Sequence, residues 1–273
     1  MTEAAPRRAA REIAHHPAAR LGARAGYAAN GVVHALIGVI ALVIAFGGDG
    51  EGDQAGALKA IAAVPLGLAA LWLLAVALWA LGTWHLAEGV LSRDRDGDLK
   101  GAAKKWGQRA SEWGQAAAFI AVGSVAAAVA LGARPDGESA AEDASRGALT
   151  VPGGSIVLGL VGLGVAIGGI SFIVMGFLRS FRKKMDIPDS PLGHTVTTLG
   201  TVGFIAKGAA LLIVGILLLI AAVTIDASAA GGIDGALDAL RDMVFGQLLV
   251  AAVGAGFIAY GVFCAFRARY ASL

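Results

Sequence analysis

Whatever chemistry this sequence offers rests on a few polar side chains set in apolar surroundings: Asn30, His85, Glu88, Gln115, Arg182, Lys207 and Arg267. They fall in or at the edge of long apolar runs, where inserting an ionised side chain into lipid costs at least about 2.5–3.5 kcal/mol. A charge held there needs a partner or a use, and Glu88 is expected to pair with Lys207 or Arg267. His85, and His34 one helical turn beyond Asn30, titrate near neutral pH and would suit a proton relay or a pair of metal ligands. Neither histidine has carboxylates at ligand spacing, so no metal and no cofactor is expected. Enzymatic chemistry has still less to stand on. There is no serine nucleophile elbow, no His-Glu-x-x-His and no phosphate-binding glycine loop, so no catalytic residue is expected. Asp94-Arg95-Asp96-Gly97-Asp98 resembles a calcium loop, but Leu99 and Lys105 stand where its sixth-position glycine and twelfth-position glutamate belong.

Such residues must be positioned by membrane-spanning helices. The chain is 57% apolar and only 15% charged over 273 residues, with a mean hydropathy of +0.72. That apolar surplus exceeds what a water-soluble core can hide. One cysteine excludes a disulfide framework, and a net charge of +2 gives no reason to expect a nucleic-acid partner. Roughly 20 apolar residues span the hydrocarbon core, and six runs qualify, at about 27–46, 66–91, 113–131, 155–178, 203–223 and 244–266. None alternates as barrel strands do, so the fold class is all-α integral membrane, with six transmembrane helices. Seventeen basic residues fall on one side of these spans and four on the other, where eleven acids gather. The positive-inside rule then puts both termini in the cytoplasm.

The runs also repeat. Gly26-Tyr27-Ala28-Ala29-Asn30-Gly31, with Gly38 seven residues on, matches Gly203-Phe204-Ile205-Ala206-Lys207-Gly208 with Gly215. Downstream, Gly56-Ala57-Leu58 matches Gly235-Ala236-Leu237, Gly67 matches Gly246, and Gly82 matches Gly261. A more degenerate middle copy has Gly123 in place of Gly38, Gly147-Ala148-Leu149 in the loop and Gly176 in place of Gly82. Three two-helix units, each crossing twice, must all point the same way, and a pseudo-threefold arrangement is expected. The organisation so read is a basic arm (1–20), repeat 1 (21–95), an amphipathic connection (96–112), repeat 2 (113–184), a cytoplasmic loop (185–200) and repeat 3 (201–273). Gly31, Gly38, Gly123, Gly208 and Gly215 are the expected packing glycines, because in lipid small residues mark where backbones touch. A hinge or a backbone-lined conduit is the alternative for such glycines. Together with Ala259-Tyr260-Gly261-Val262-Phe263, these motifs resemble the tandem two-helix membrane repeats of the bacterial family of unknown function numbered 1206. That resemblance implies six helices in three copies and supplies no activity.

In this register Asn30, Gln115 and Lys207 are equivalent, as are Glu88, Arg182 and Arg267, so the repeat predicts a polar collar roughly 7–10 Å inside the cytoplasmic boundary. Snorkelling to the headgroups is its bland use, and a vestibule or lipid-headgroup site the sharper one. Trp106 and Trp113, among Lys104, Lys105 and Arg109, read as a helix lying on an anionic inner leaflet. The Gly-Ala-Leu loops read as short helices along the outer interface. Two functions remain open: a structural or accessory protein packing against other membrane proteins or lipids, and a transporter or channel for a small solute, ion or lipid. A bundle centre filled by bulky apolar side chains favours the first, and a water-accessible cavity reaching Asn30, Glu88 and Lys207 favours the second.

Overall fold

A computed structural model of the chain describes residues 17–91 and 99–271. In chain order its α-helices are α1 (Pro17–Ala45), α2 (Gln54–Ala62), α3 (Gly67–Leu91), α4 (Leu99–Ala130), α5 (Gly137–Leu149), α6 (Gly154–Phe177), α7 (Pro191–Thr224), α8 (Gly232–Arg241) and α9 (Gly246–Tyr270). The six long ones, α1, α3, α4, α6, α7 and α9, are long and apolar enough to cross a membrane. Arg7, Arg8, Arg11, Arg93, Arg95 and the turn at 94–98 lie outside the described residues.

Two helices run further than their apolar runs. The Ser190 hydroxyl caps α7 by accepting from the Gly193 N–H, and Pro191 occupies the first turn, where its missing N–H costs nothing. Residues 191–200, expected as loop, are therefore helix. Likewise the amphipathic connection is the first part of α4, continuous with the span that follows. Hydropathy marks where a helix meets lipid; backbone hydrogen bonding starts wherever a cap allows it.

The repeat is stamped on the backbone. Gly47, Gly132 and Ile225 take left-handed φ after the first helix of each copy, and Leu66, Gly153 and Phe245 do so before the second. Each of the latter precedes a glycine, Gly67, Gly154 or Gly246, on which a Cβ would strike the carbonyl of Ile61, Ala148 or Arg241. These anchors fix the middle register. Gly82 and Gly261 lie fifteen residues after Gly67 and Gly246, so their equivalent is Gly169, which corrects the expected Gly176. By the same count the equivalent of Leu58 and Leu237 is Ser145, so Gly147-Ala148-Leu149 is not the loop motif of this copy. Ile225 is the one β-branched residue among the left-handed positions, and its side chain is exposed. Replacing it with glycine is expected to stabilise the fold by about 1 kcal/mol. Thermal unfolding in detergent should show the midpoint rise by about 2 °C.

Helix α3 packs on α4, α6 on α7, and α9 on α1, so the second helix of each copy meets the first helix of the next, and the last copy meets the first. The order of these contacts along the chain is cyclic. Inside the copies, α1 packs on α3 and α7 on α9, whereas among the described residues α4 and α6 make no comparable seam. The middle hairpin is open. The centre is apolar: Val33, Ile37, Leu71, Leu78, Val250 and Phe257 are buried in one cluster, to which α6 contributes nothing. The short helices plug its end away from the termini rather than lying along the interface, α2 with Leu58 and α8 with Leu237 and Leu240. Met243, just beyond α8, is exposed.

Candidate functional site

Glycines set the spacing of the seams and so place the polar residues. Between α9 and α1, a Cβ on Gly31 would lie 2.6 Å from the Gly261 carbonyl oxygen, and one on Gly38 2.5 Å from that of Gly254. Between α6 and α7, Gly208 meets Gly169 and Gly215 meets Ala166; between α3 and α4, Gly123 meets Ala75 and the Trp79 indole. All five expected packing glycines thus sit at seams between copies. The backbones approach there as closely as helices can, and side chains one turn nearer the end of the bundle that carries the termini are pressed together.

Each seam uses equivalent positions with different chemistry. In the α3–α4 seam, His85 Nδ1 donates to Glu112 Oε2 at 2.6 Å, and both side chains are 3% exposed. The ring of Phe119 stacks on His85 at 5.4 Å and Tyr27 meets it edge-on at 6.3 Å. His85 Nε2 is buried with no hydrogen-bond partner among the described residues. In the α6–α7 seam the equivalent pair is Phe172 and Phe204, stacked at 5.5 Å. Lys207 lies beside them with its Nζ 4.5 Å from the centre of the Tyr260 ring and 5.4 Å from that of Phe172. In the α9–α1 seam the equivalents are Cys264 and Tyr27. Asn30 Nδ2 donates to Cys264 Sγ at 3.5 Å. The Arg267 guanidinium lies 4.3 Å over Tyr27 and donates to its hydroxyl at 3.3 Å. The His34 Nδ1–H donates to the Asn30 carbonyl at 2.9 Å, and the ring packs on Tyr260.

Lys207 and Arg267 therefore rest on the faces of aromatic rings, where the ring quadrupole offsets part of a cation's desolvation. Glu88 is half-buried, and the Glu112 carboxylate lies within electrostatic reach of Arg267. Gln115 folds back onto Ser111 of its own helix. Arg182 leaves the collar altogether: it lies in a 3-10 turn, Ser180–Lys184, beyond the end of α6, exposed and 3.8 Å from Asp189. With Gly169 as the anchor, Met175 takes the place assigned to Arg182. The residue that sequence reasoning missed is Glu112. Counting from Asn30, Gln115 and Lys207 places Tyr27, Glu112 and Phe204 at one repeat position, so the signal was present but hidden by a change of residue type. Among the described residues, no three His, Cys, Asp or Glu side chains converge as metal ligands would.

The threefold register has a counterpart in known proteins. The family model for a domain of unknown function, DUF1206, matches three times, at residues 25–92, 112–179 and 202–271. The chain belongs to the DUF1206 family. A relative, the uncharacterized protein YxxB of Bacillus subtilis (strain 168), is 27% identical over 249 residues, covering 90% of this chain and 89% of its own. A bacterial origin agrees with that match. No solved structure matches. The middle DUF1206 copy opens on Glu112 and closes on Arg179, which brings Glu112 inside the repeat and leaves Arg182 outside it.

Copies of the DUF1206 unit also meet at the end away from the termini, through acids. The Gly52 N–H of the first copy donates to Asp234 Oδ1 of the third at 2.5 Å. Asp53 caps α2 by accepting from the Gly56 N–H at 2.8 Å, and Gly137 of the middle copy packs on the Asp53 carboxylate. Burial, and then the neighbouring Asp53, push Asp234 up to about 7, with Glu51 and Glu138 adding to the rise and the Gly52 hydrogen bond opposing it. Asp53 is raised too, chiefly by burial and then by Glu51, against its Gly56 hydrogen bond and Lys59; Glu138 is raised by burial, then by Asp238 and Asp136. Because the folded-state value of Asp234 exceeds the unfolded one, its contribution is fully present below about pH 4 and lost as pH rises through about 7. Replacing Asp234 with asparagine keeps an acceptor for Gly52 and removes the charge. Solvent screening of this half-buried group brings the expected gain at pH 8 to about 1–2 kcal/mol. Thermal midpoints of both forms from pH 4 to 8 should converge at the acid end and separate at the alkaline end.

Proposed function

We propose that this protein is an accessory, structural component of a bacterial plasma membrane, packing against other membrane proteins or lipids, with both termini in the cytoplasm. One observation carries the reading: the space between the helices is filled by Val33, Ile37, Leu78 and Phe257. A transport path needs polar, wetted surface along its length. Two cavities of about 280 and 260 Å³ lie at the outer ends of the helices, one beside Phe46 and Gln247, the other beside Glu142 and Asp226. Neither reaches Asn30, Glu88 or Lys207. In the inner layer, Lys207 and Arg267 rest on rings and His85 is paired with Glu112, which is how a membrane protein holds charges it does not move. No catalytic step is part of this reading. Large apolar residues such as Ile156, Leu160, Val161 and Ile167 cover the outward faces of α6, and these faces are where neighbours would pack.

The test is native purification from bacterial membranes in a mild detergent, followed by mass spectrometry of whatever co-elutes. A stoichiometric membrane protein, or a lipid retained above its bulk abundance, is the expected result. Solitary, lipid-free elution overturns the accessory reading, and solute flux through reconstituted vesicles replaces it with the transport one. The orientation is tested separately by C-terminal fusions: a green fluorescent protein should fluoresce, and an alkaline phosphatase should remain inactive.

A further inference from the structure

The middle hairpin differs from its two copies in one respect, and the difference is confined to a few positions. In repeat 1 the hairpin packs through Gly22 against Ala80 and through Gly26 against Ala77 and Leu81. In repeat 3 it packs through Gly203 against Tyr260 and through Gly256 against Ala206. Counting on the fixed register, the corresponding residues of repeat 2 are Gly107, Ser111 and Gly114 on α4, facing Gly164, Ile167 and Gly168 on α6. The middle copy thus carries small residues suited to a close seam, and the seam is not made. A Cβ placed on Gly107, Gly114, Gly164 or Gly168 would meet nothing within 4 Å, and the Ile167 side chain is exposed. Helices α4 and α6 are accordingly held by different neighbours, α4 by α3 and α2, α6 by α7 and α5. Their outer link contains α5, four residues longer than α2, which packs on α8 and not on α4.

We propose that the middle hairpin closes: α6 swings against α4 about its seam with α7, Gly164 and Gly168 meet Gly107 and Gly114, and the open arc of six helices becomes a closed ring. Both forms are available because lipid chains solvate the open seam about as well as helix packing fills the closed one, so the two arrangements differ little in free energy. The motion leaves the apolar centre and the three seams between copies intact, since α6 takes no part in the central cluster. It opens and shuts a lateral gap on the bilayer. This inference does not depend on the accessory reading, because a transporter would have the same gap.

Paired cysteines in a Cys264→Ala background test it in native membranes. Gly22→Cys with Ala80→Cys reports the packed hairpin of repeat 1, and its exact repeat equivalent, Gly107→Cys with Ile167→Cys, reports the open one. A disulfide forms only when Cα atoms come within about 7 Å. Under mild oxidation the first pair should crosslink at once, and the second more slowly but to a comparable final yield, within a single chain. Mixing two differently tagged copies separates intramolecular from intermolecular bonds. Adding Gly164→Leu, which fills open space, should leave the first type of crosslink unchanged and cut the second at least tenfold. No disulfide at Gly107 and Ile167 while the repeat 1 pair reacts, or bonds only between differently tagged chains, overturns closure; the latter result would make α6 a contact between copies instead.

Discussion

Gly38→Leu is expected to abolish folding, whereas Gly164→Leu, a like change in another membrane-spanning helix, leaves the protein intact. On Gly38 the new Cβ would fall 2.5 Å from the Gly254 carbonyl oxygen and 2.7 Å from the Ile258 nitrogen. Both obstacles are backbone, so no rotamer change relieves them, and α1 and α9 must separate along their length. Overpacking a well-filled core costs about 1–3 kcal/mol when side chains can yield, and a seam walled by backbone lies at or beyond the top of that range. Against a typical total of about 5–15 kcal/mol, and with the packing lost above and below, the folded state does not survive. Gly208→Leu and Gly261→Leu meet the same obstacle, the Gly169 and Gly31 carbonyls. Gly164 faces open space, and leucine there adds an apolar side chain to a lipid-facing surface. Size-exclusion profiles of fluorescently tagged variants decide it: the seam variants should lose the monodisperse peak, and Gly164→Leu should keep it.

That contrast also marks how far the sequence could be read. Gly31, Gly38, Gly208 and Gly215 announced themselves because glycines seven apart in two alignable copies lie on one face of a helix. The fourth span holds glycine at 159, 162, 164, 168 and 169, and no pattern within the chain says which of these touch a neighbour. Only the packed structure separates Gly162 and Gly169, at the seam, from Gly164 and Gly168, which face nothing. The middle register slipped for a related reason. Gly176 and Gly147-Ala148-Leu149 looked like the motifs of the other copies, while the true equivalents, Gly169 and Ser145, are found by counting from Gly154. Spacing outlasts residue identity, because helix rise fixes distance and packing tolerates substitution. The collar was legible as a layer and not as a set of contacts: the positions of Asn30, Lys207 and Arg267 follow from the repeat, but the ring on which a cation rests comes from another helix. Lys207 and Tyr260 are 53 residues apart, and Arg267 and Tyr27 are 240 apart.

The buried pair offers the sharper test, because the protein contains its own control. Removing one partner, by His85→Leu or Glu112→Leu, takes away the short hydrogen bond that offsets the burial of the other, and breaking a buried pair in this way costs about 3–5 kcal/mol. Removing both should not add two such losses. The equivalent positions in the α6–α7 seam are Phe172 and Phe204, stacked with their planes 23° apart, so the backbone spacing at this level accommodates two aromatic rings. His85→Phe with Glu112→Phe transplants that solution, and the rings of Phe119 and Tyr27 already border the site. The double variant is expected to recover most of the stability that each single change loses, a coupling of at least about 2 kcal/mol in a double-mutant cycle of thermal midpoints. Arg267 loses the Glu112 carboxylate in the exchange but keeps its contact with Tyr27, so recovery should fall short of the parent. Additive losses would mean that His85 and Glu112 are stabilised separately, with the burial of His85 supported from elsewhere. Full recovery of stability would show that the polar pair is dispensable for folding, and any membrane phenotype remaining in the double variant would then belong to the pair's charge and proton rather than to its packing.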